Sequence, residues 1–307
     1  MPVFGPSDLA IDIGTATTRV ADARNCVSLG PSFAHNIPAL QRGVIESPRA
    51  TTEVLRPLIR KRRRGRLGPL RVLACAPSDV SNLERQMVRS CILEAGATSV
   101  IVVPEPLAAA VGAGLDIGSP YAKFIVDFGD GVTDCALIRD GQIMASMAER
   151  TGCSDLRRTI QTFAKSAAGL DVTAAESERL LREVGLRRFG TALCQTAVDG
   201  IPVQYPLNIT DLHAPLRPVL DRMLAPITAL LRSLSATLDA EVIEDGIFLT
   251  GGGALLPGLR QAVARQSGID THIVPDPVGS VIRGARRMLP LAASLNLWKS
   301  WIAVDRR

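Results

Sequence analysis

The residues best placed to do chemistry are two aspartates, Asp12 and Asp127, each followed two positions later by a glycine. Ile11-Asp12-Ile13-Gly14-Thr15-Ala16-Thr17-Thr18-Arg19-Val20 and Val126-Asp127-Phe128-Gly129-Asp130-Gly131-Val132-Thr133-Asp134-Cys135 share the aspartate, the glycine and a later threonine. Each copy reads as an apolar strand, a tight polar turn and a second strand. Gly14 and Gly129 have no Cβ, so the chain can turn sharply and come close to a phosphate. Thr15, Asp130 and the turn after each then present backbone N–H groups to an anion. A carboxylate beside a polyphosphate needs a hard cation between them, and hydrated Mg²⁺, which keeps several waters and needs few protein ligands, fits. One Asp-x-Gly is ordinary hairpin chemistry; two matching copies separated by a helix-rich segment point to a duplicated phosphate loop.

A third glycine-rich segment follows much later. Gly246-Ile247-Phe248-Leu249-Thr250 reads as a buried strand running into Gly251-Gly252-Gly253, ahead of a helix expected over 255–266. Three glycines there suit close approach of main chain to a flat ligand and a helix start friendly to anions.

The elements that must position these loops alternate between strand and helix. Between the copies, a strand over 70–74 leads to a helix opened by 77–79, with Leu83, Met87, Val88, Cys91 and Ile92 at helical spacing and Gly96 at its end. A strand over 99–103 and a small-residue helix from Pro104-Glu105-Pro106 through Ala113 follow. Beyond the second copy the pattern predicts helices over 154–167 and 173–183, an irregular, proline-bearing stretch up to Tyr205, and a long helix over 216–238. In that helix Pro218 marks the start and Pro226 a kink. This order is α/β, sheets flanked by helices.

Composition narrows the class. A chain of 307 residues, 47% hydrophobic and 21% charged, can bury a sizeable core and lies far from disorder. Aromatics are 4%, so aliphatic side chains must build that core. Net charge +5 favours an anionic partner without naming one. The six cysteines form no CxxC pair, which argues against zinc and a disulfide framework and for reduced thiols. No export signal is read at the start. The most apolar stretch, 100–115, is broken by Pro104, Glu105 and Pro106, so no bilayer span is expected.

Together these motifs resemble the superfamily of actin, heat-shock chaperones and sugar kinases, and within it the bacterial actins of the MreB and Mbl type. Leu9-Ala-Ile-Asp-Ile-Gly-Thr-Ala-Thr-Thr is similar to the first phosphate loop and Phe124-Ile-Val-Asp-Phe-Gly-Asp-Gly-Val-Thr-Asp to the second. Gly246-Ile-Phe-Leu-Thr-Gly-Gly-Gly-Ala-Leu-Leu-Pro-Gly-Leu is similar to the adenosine motif, and Val103-Pro-Glu-Pro-Leu-Ala-Ala-Ala to the connecting motif. The resemblance implies an actin-like two-lobe ATPase fold with ATP or ADP in the interlobe cleft. Asp12 and Asp127 would hold Mg²⁺ through water, and Asp127 would join Glu105 in catalysis. Gly14, Thr15, Ala16, Gly129, Asp130, Gly131 and Thr133 would line the phosphates. Glu105 would orient or activate the attacking water as a general base; a carboxylate favoured by a helix N-terminus is the plainer account of it. Gly251, Gly252 and Gly253 would cradle the adenosine, with Glu178 at the ribose or base.

The same resemblance divides the chain into a first lobe, residues 1–121 joined by the C-terminal segment 285–307, and a second lobe, residues 122–284. The second lobe carries an insertion at about 158–206, and the roof subdomain of the first is cut short near 30–42. Asp130 stands where these bacterial actins carry glycine and adds negative charge near the cation. Leu181 replaces a nucleotide-facing lysine and Thr17 an asparagine, both of which would weaken adenine binding. The implied activity is weak ATP hydrolysis coupled to self-assembly on the cytoplasmic face of the membrane, in cell-shape or cell-wall organisation with envelope or division proteins. A non-polymerising, nucleotide-gated adaptor is the alternative, favoured by the short roof. A small-molecule kinase ranks below both because the short loops leave little room for a substrate pocket.

Arg56, Arg60, Lys61, Arg62, Arg63, Arg64, Arg66 and Arg71 crowd into what reads as a loop, together with Leu67. Charge runs are usually solvated faces. Here Arg62, Arg63, Arg64, Arg66 and Leu67 are assigned to an anionic membrane surface, where each basic residue adds about 1 kcal/mol. Nucleic acid ranks behind, since no neighbouring aromatics offer stacking. Trp298 and Trp301 flank Lys299 near the C-terminus and suit either a bilayer interface or a helix packed on the first lobe.

Overall fold

The computed structural model describes residues 3–4, 7–63, 66–187, 189–198 and 201–294. Its frame is two five-stranded sheets. The first starts as an antiparallel meander of β1 (Ser7–Ile13), β2 (Thr17–Asp22) and β3 (Val27–Pro31). β4 (Leu70–Ala76) and β5 (Ser99–Pro104) then add in parallel beyond β1, giving the order β5-β4-β1-β2-β3. The second sheet repeats the plan with the meander β6 (Lys123–Phe128), β7 (Thr133–Arg139) and β8 (Gln142–Glu149). After a separate hairpin of β9 (Thr191–Val198) and β10 (Ile201–Asn208), strands β11 (Ile247–Thr250) and β12 (Thr271–Ile273) complete the order β8-β7-β6-β11-β12. The duplication in the two loops thus extends to topology and register: Asp12 faces Arg19 across its hairpin, and Asp127 faces Asp134.

Strands covered on both faces must be apolar almost throughout, and β1, β4, β6 and β7 are buried nearly end to end. Helices α1 (Pro48–Arg63) and α2 (Asn82–Glu94) cover the first sheet, with Leu55, Leu58, Val88 and Ile92 in that core. α3 (Glu105–Ala113) lies on the side facing the second half. α4 (Cys153–Ala168), α5 (Ala174–Val184), α6 (Ile209–Arg232), α7 (Ala236–Asp245) and α8 (Leu259–Ser267) surround the second sheet around Leu156, Leu180, Met223, Val242 and Val263. α9 (Ser280–Ser294) returns to pack on α3 and β1. This closes a third core of small side chains between the sheets, including Ala10, Ala108, Ala110, Ala136 and Ala285.

The crossing of α3 and α9 is made backbone to backbone. A Cβ added at Gly284 would lie 2.6 Å from the carbonyl carbon of Ala108, and one at Gly112 would lie 2.7 Å from that of Ser280. Arg283 seals the crossing by donating from Nε to the Gly112 carbonyl at 2.7 Å.

Several sequence-based expectations need correction. The basic run is not a loop: Arg56, Arg60, Lys61, Arg62 and Arg63 lie on α1, whose last turn favours cations near the exposed carbonyls. The second helix opens at Asn82, where Ser81 and Glu84 form a reciprocal capping box, and not at 77–79. Its buried stripe is Val88, Cys91 and Ile92, leaving Leu83 and Met87 exposed. The stretch expected to be irregular up to Tyr205 contains the β9–β10 hairpin, in which Ala192 and Cys194 alternate inward. β10 tolerates Pro202 and Pro206 because it is the outer strand of a two-stranded ribbon.

The long helix begins at Ile209, capped by the Asn208 side chain, keeps three internal prolines and stops at Arg232; α7 is a separate element. Past the glycine triplet the chain makes a short 3₁₀ turn, Gly252–Leu255, and α8 starts only at Leu259, after Pro257. The shortened roof was expected near 30–42; residues 33–45 hold two ribbons of two-residue strands, Phe33–Ala34 with Ile37–Pro38 and Leu40–Gln41 with Val44–Ile45. Among the described residues no helix is long and apolar enough to cross a membrane.

Candidate functional site

The two duplicated turns face each other across a cleft of about 670 Å³. Asp12, Gly14, Thr15, Ala16, Glu105, Asp127, Gly129, Asp130, Gly131, Glu178, Gly251, Gly252 and Gly253 all line it. Thr133 does not: it is fully buried beneath the hairpin and donates from Oγ1 to the Thr151 carbonyl at 3.0 Å.

Each turn is closed the same way, Gly14 N to Thr17 O at 3.2 Å and Gly129 N to Val132 O at 2.9 Å. A Cβ at Gly129 would sit 2.7 Å from that Val132 oxygen, so glycine is required for the turn itself. The Arg42-Gly43 turn, with positive φ at both residues, crosses from the first half onto these loops. Gly43 N donates to Thr15 Oγ1 at 3.2 Å, and Arg42 Nη2 pairs with Asp155 Oδ1 at 3.3 Å. Arg150 adds a tie in the other direction, donating from Nη1 to the Arg42 carbonyl at 3.1 Å and pairing with Asp79.

Electrostatically the two copies differ. Asp12 Oδ2 accepts from Arg19 Nη1 at 3.0 Å. Burial raises the Asp12 carboxyl and Arg19 opposes that rise. The position equivalent to Arg19 in the second copy is Asp134, which turns away to Ser78, accepting from its N at 2.7 Å and its Oγ at 2.6 Å. Among the described residues Asp127 therefore has no ion-pair partner. Its Oδ1 is buried without a hydrogen-bond partner, and burial, with Asp12 and Asp134 nearby, pushes its carboxyl up to about 7. Glu105, the first residue of α3 after Pro104, is pushed well above the usual carboxylate range by burial and by Asp12 and Asp127.

A buried carboxylate oxygen with no donor calls for positive charge, so the residues present fit a cation at Asp127 with Asp12 beside it. Among the described residues no three His, Cys, Asp or Glu side chains converge to hold a metal directly. A hydrated hard ion is the class that needs so few protein ligands.

The negative charge that Asp130 adds to this turn is paired: Asp130 Oδ1 lies 2.7 Å from Arg157 Nη2. Arg157 also donates from Nη1 to Glu178 Oε2 at 2.8 Å, and Glu178 Oε1 accepts from Arg182 Nε at 2.6 Å. The glycine triplet divides in function. Gly251 has φ +81°, and a Cβ at Gly253 would lie 2.8 Å from Phe128 Cβ, so both let the 3₁₀ turn press against the second hairpin; only Gly252 faces open space. Beyond it, Ala174, Ala175, Leu181, Leu255, Leu256 and Val278 form an apolar slot.

Of the residues assigned to a membrane surface, Arg64, Trp298 and Trp301 lie outside the described residues. Arg66 and Leu67 form a short parallel ribbon with Val3 and Phe4. Arg62 and Arg63 are half-buried, and Arg63 donates to the Gly68 carbonyl at 2.6 Å, whereas Arg60 and Lys61 are exposed. Arg56 is paired with Glu94 and Arg71 with Asp8.

Sequence reasoning missed Arg19 and Arg157. Arg19 had a findable signal, because hairpin register places the residue seven after each aspartate directly across from it. Arg157 had none, since only the packing of α4 against the second loop brings it to Asp130.

A family model described as MreB/Mbl protein matches residues 20–296. The cell shape-determining protein MreB of Escherichia coli K12 is 28% identical over 279 residues, covering 88% of this chain and 80% of the relative. MreB5 of Spiroplasma citri, solved bound to ADP, superposes with a TM-score of 0.85 at 22% identity, covering 95% of this chain and 98% of that one. MamK in a double helical filament superposes with a TM-score of 0.78 at 19% identity, covering 92% and 98%.

Proposed function

The chain belongs to the MreB/Mbl family of actin-like, cell shape-determining proteins, and from that premise we propose that it is a nucleotide-dependent filament protein working against the inner face of the cell membrane. It binds ATP and ADP in the cleft, hydrolyses ATP slowly, and couples the change of nucleotide to assembly. The observation that carries this reading is the pair of turns meeting across one cleft with Glu105 between them and an unpartnered carboxylate oxygen on Asp127. The MreB5 relative was solved with ADP and with AMPPNP, which supports an adenine nucleotide here.

In this reading the backbone N–H groups of the two turns hold the phosphates and Gly252 and the apolar slot receive the adenosine. Asp127 and Asp12 would hold hydrated Mg²⁺, which supplies charge neutralisation at the phosphates. Glu105 orients the attacking water and takes its proton. Residues 1–121 with 285–294 form one lobe of this reading and 122–284 the other. Arg60 and Lys61, exposed at the end of α1, take the larger share of attraction to an anionic leaflet, with Arg62 and Arg63 behind them.

Two measurements test the reading. Calorimetry with Mg·ADP should give saturable binding, and its absence removes the nucleotide assignment. Pelleting with Mg·ATP tests assembly: protein that stays in the supernatant at every concentration leaves the non-polymerising adaptor. That second reading is favoured by one observation, that residues 33–45 form only two minimal ribbons, one of which is laid against the phosphate turns.

A further inference from the structure

Asp130 and Glu178 sit on different walls of the cleft, one in the second phosphate turn and one on α5, and a single side chain joins them. Arg157, in the second turn of α4, spans the gap with both ends of its fork, Nη2 on Asp130 at 2.7 Å and Nη1 on Glu178 at 2.8 Å. Its side chain is 21% exposed, so most of this arrangement is shielded from water. Neither carboxylate has a second strong claim on its geometry except Arg182, which holds the far oxygen of Glu178.

The phosphate end of the cleft is otherwise rich in acid, with Asp12, Glu105 and Asp127 close by and, among the described residues, Arg19 opposing them. An ionised Asp130 in the turn that must face a polyphosphate would repel it. Paired to a planar guanidinium, the same carboxylate becomes a tether that fixes the turn and leaves its N–H groups facing the ligand.

We propose that Arg157 is a positioning residue for phosphate binding, cancelling the charge of Asp130 and locking the second phosphate turn to α5 through Glu178. The proposal rests on the nucleotide reading above. It makes the arginine necessary only because the aspartate is present. Removing Arg157 alone leaves a half-buried, unpaired carboxylate facing the ligand's phosphates; removing both restores a neutral turn.

The test is a half-cycle of variants read by calorimetry with Mg·ADP and with AMP, alongside thermal melts. Arg157→Met should weaken Mg·ADP binding by about 30-fold and AMP binding by less than about 5-fold, because the repulsion grows with phosphate charge near the turn. Arg157→Met combined with Asp130→Gly should recover Mg·ADP affinity to within about 3-fold of the parent. If Arg157→Met does not fold, the double variant still decides: affinity near the parent supports the proposal, and a 30-fold loss overturns it. Equal losses for ADP and AMP, or a loss that the second substitution leaves in place, would mean that Arg157 touches the ligand or merely supports α4, and the proposal falls. Parent protein that binds no Mg·ADP at all sinks the nucleotide reading, and this one with it; parent binding with unchanged Arg157→Met sinks this one alone.

Discussion

Replacing Gly284 with alanine separates two physical effects of opposite sign. In an isolated helix, Gly to Ala is stabilising by about 1 kcal/mol. Here the new methyl would sit 2.6 Å from the carbonyl carbon of Ala108 and 2.7 Å from the nitrogen of Gly112. Those are main-chain atoms that cannot rotate aside, and the Ala108 carbonyl oxygen lies closer still, so α3 and α9 must separate by roughly 1.5 Å or more before the contacts become ordinary. Overpacking against backbone belongs at the upper end of its range, about 3 kcal/mol, which outweighs the propensity gain. At about 1.5 °C per kcal/mol for a chain of this size, and after the propensity gain is subtracted, the thermal midpoint should fall by roughly 3 °C.

The displacement also carries Glu105, the first residue of α3, away from the two aspartates. A shift of about 1 Å at a reacting group can cost up to about 100-fold in rate. Phosphate release should therefore drop 10- to 100-fold while Mg·ADP affinity changes by less than about 3-fold, since the phosphate turns do not ride on α3. Gly118→Ala is the control, because its methyl would meet only Asp116 Oδ1 at 3.6 Å. A Gly284→Ala protein that melts at or above the parent temperature would refute the close crossing, and one that is destabilised yet hydrolyses at the parent rate would remove α3 placement from the mechanism.

Three further outcomes are expected. Asp127 has its carboxyl raised to about 7 from an ordinary value of 3.8, so between those pH values the folded protein holds a proton that the unfolded chain has released, and stability falls as pH rises. In EDTA, Asp127→Asn should thus raise stability at pH 8, by on the order of 4 kcal/mol at most, and leave it unchanged at pH 4; a gain of equal size at both pH values would point to packing instead. Arg19→Leu should weaken ADP binding in EDTA by about 10-fold, with saturating Mg²⁺ recovering most of the loss, and equal losses with and without the metal would show that Arg19 does not supply charge to the site. Arg60→Ala with Lys61→Ala should reduce co-sedimentation with phosphatidylserine vesicles by about 30-fold in affinity, at about 1 kcal/mol per residue, and an unchanged affinity would clear α1 of membrane contact.

The duplicated loops were legible because their constraint is local: an aspartate at a strand end and a glycine in a four-residue turn leave a spacing that can be aligned. The strands carrying them were legible because burial on both faces makes continuous apolar runs. Thr133 was misplaced because alignment of the copies gives position along the chain and not the side of the sheet on which a side chain falls. The start of α6 was hidden by Pro218, which read as a boundary while the true signal was the capping Asn208. Arg157 lay beyond reach for a different reason, since its pairing with Asp130 depends on how α4 docks, a tertiary fact with no fixed sequence interval. The basic run shows a composition signal overriding a periodic one: Val54, Leu55, Leu58 and Ile59 continue the apolar stripe of α1 right up to the arginines.

The Arg42-Gly43 turn is held from three sides. It is tied to the first phosphate loop through Thr15, to α4 through Asp155 and to the chain ahead of α2 through Arg150 and Asp79, and it lies over the phosphate end of the cleft. If the cleft takes a nucleotide as proposed, this turn covers its phosphate end, and the ligand's way in and out would be the side lined by Leu181, Leu255 and Val278, where side-chain changes would alter how long it stays.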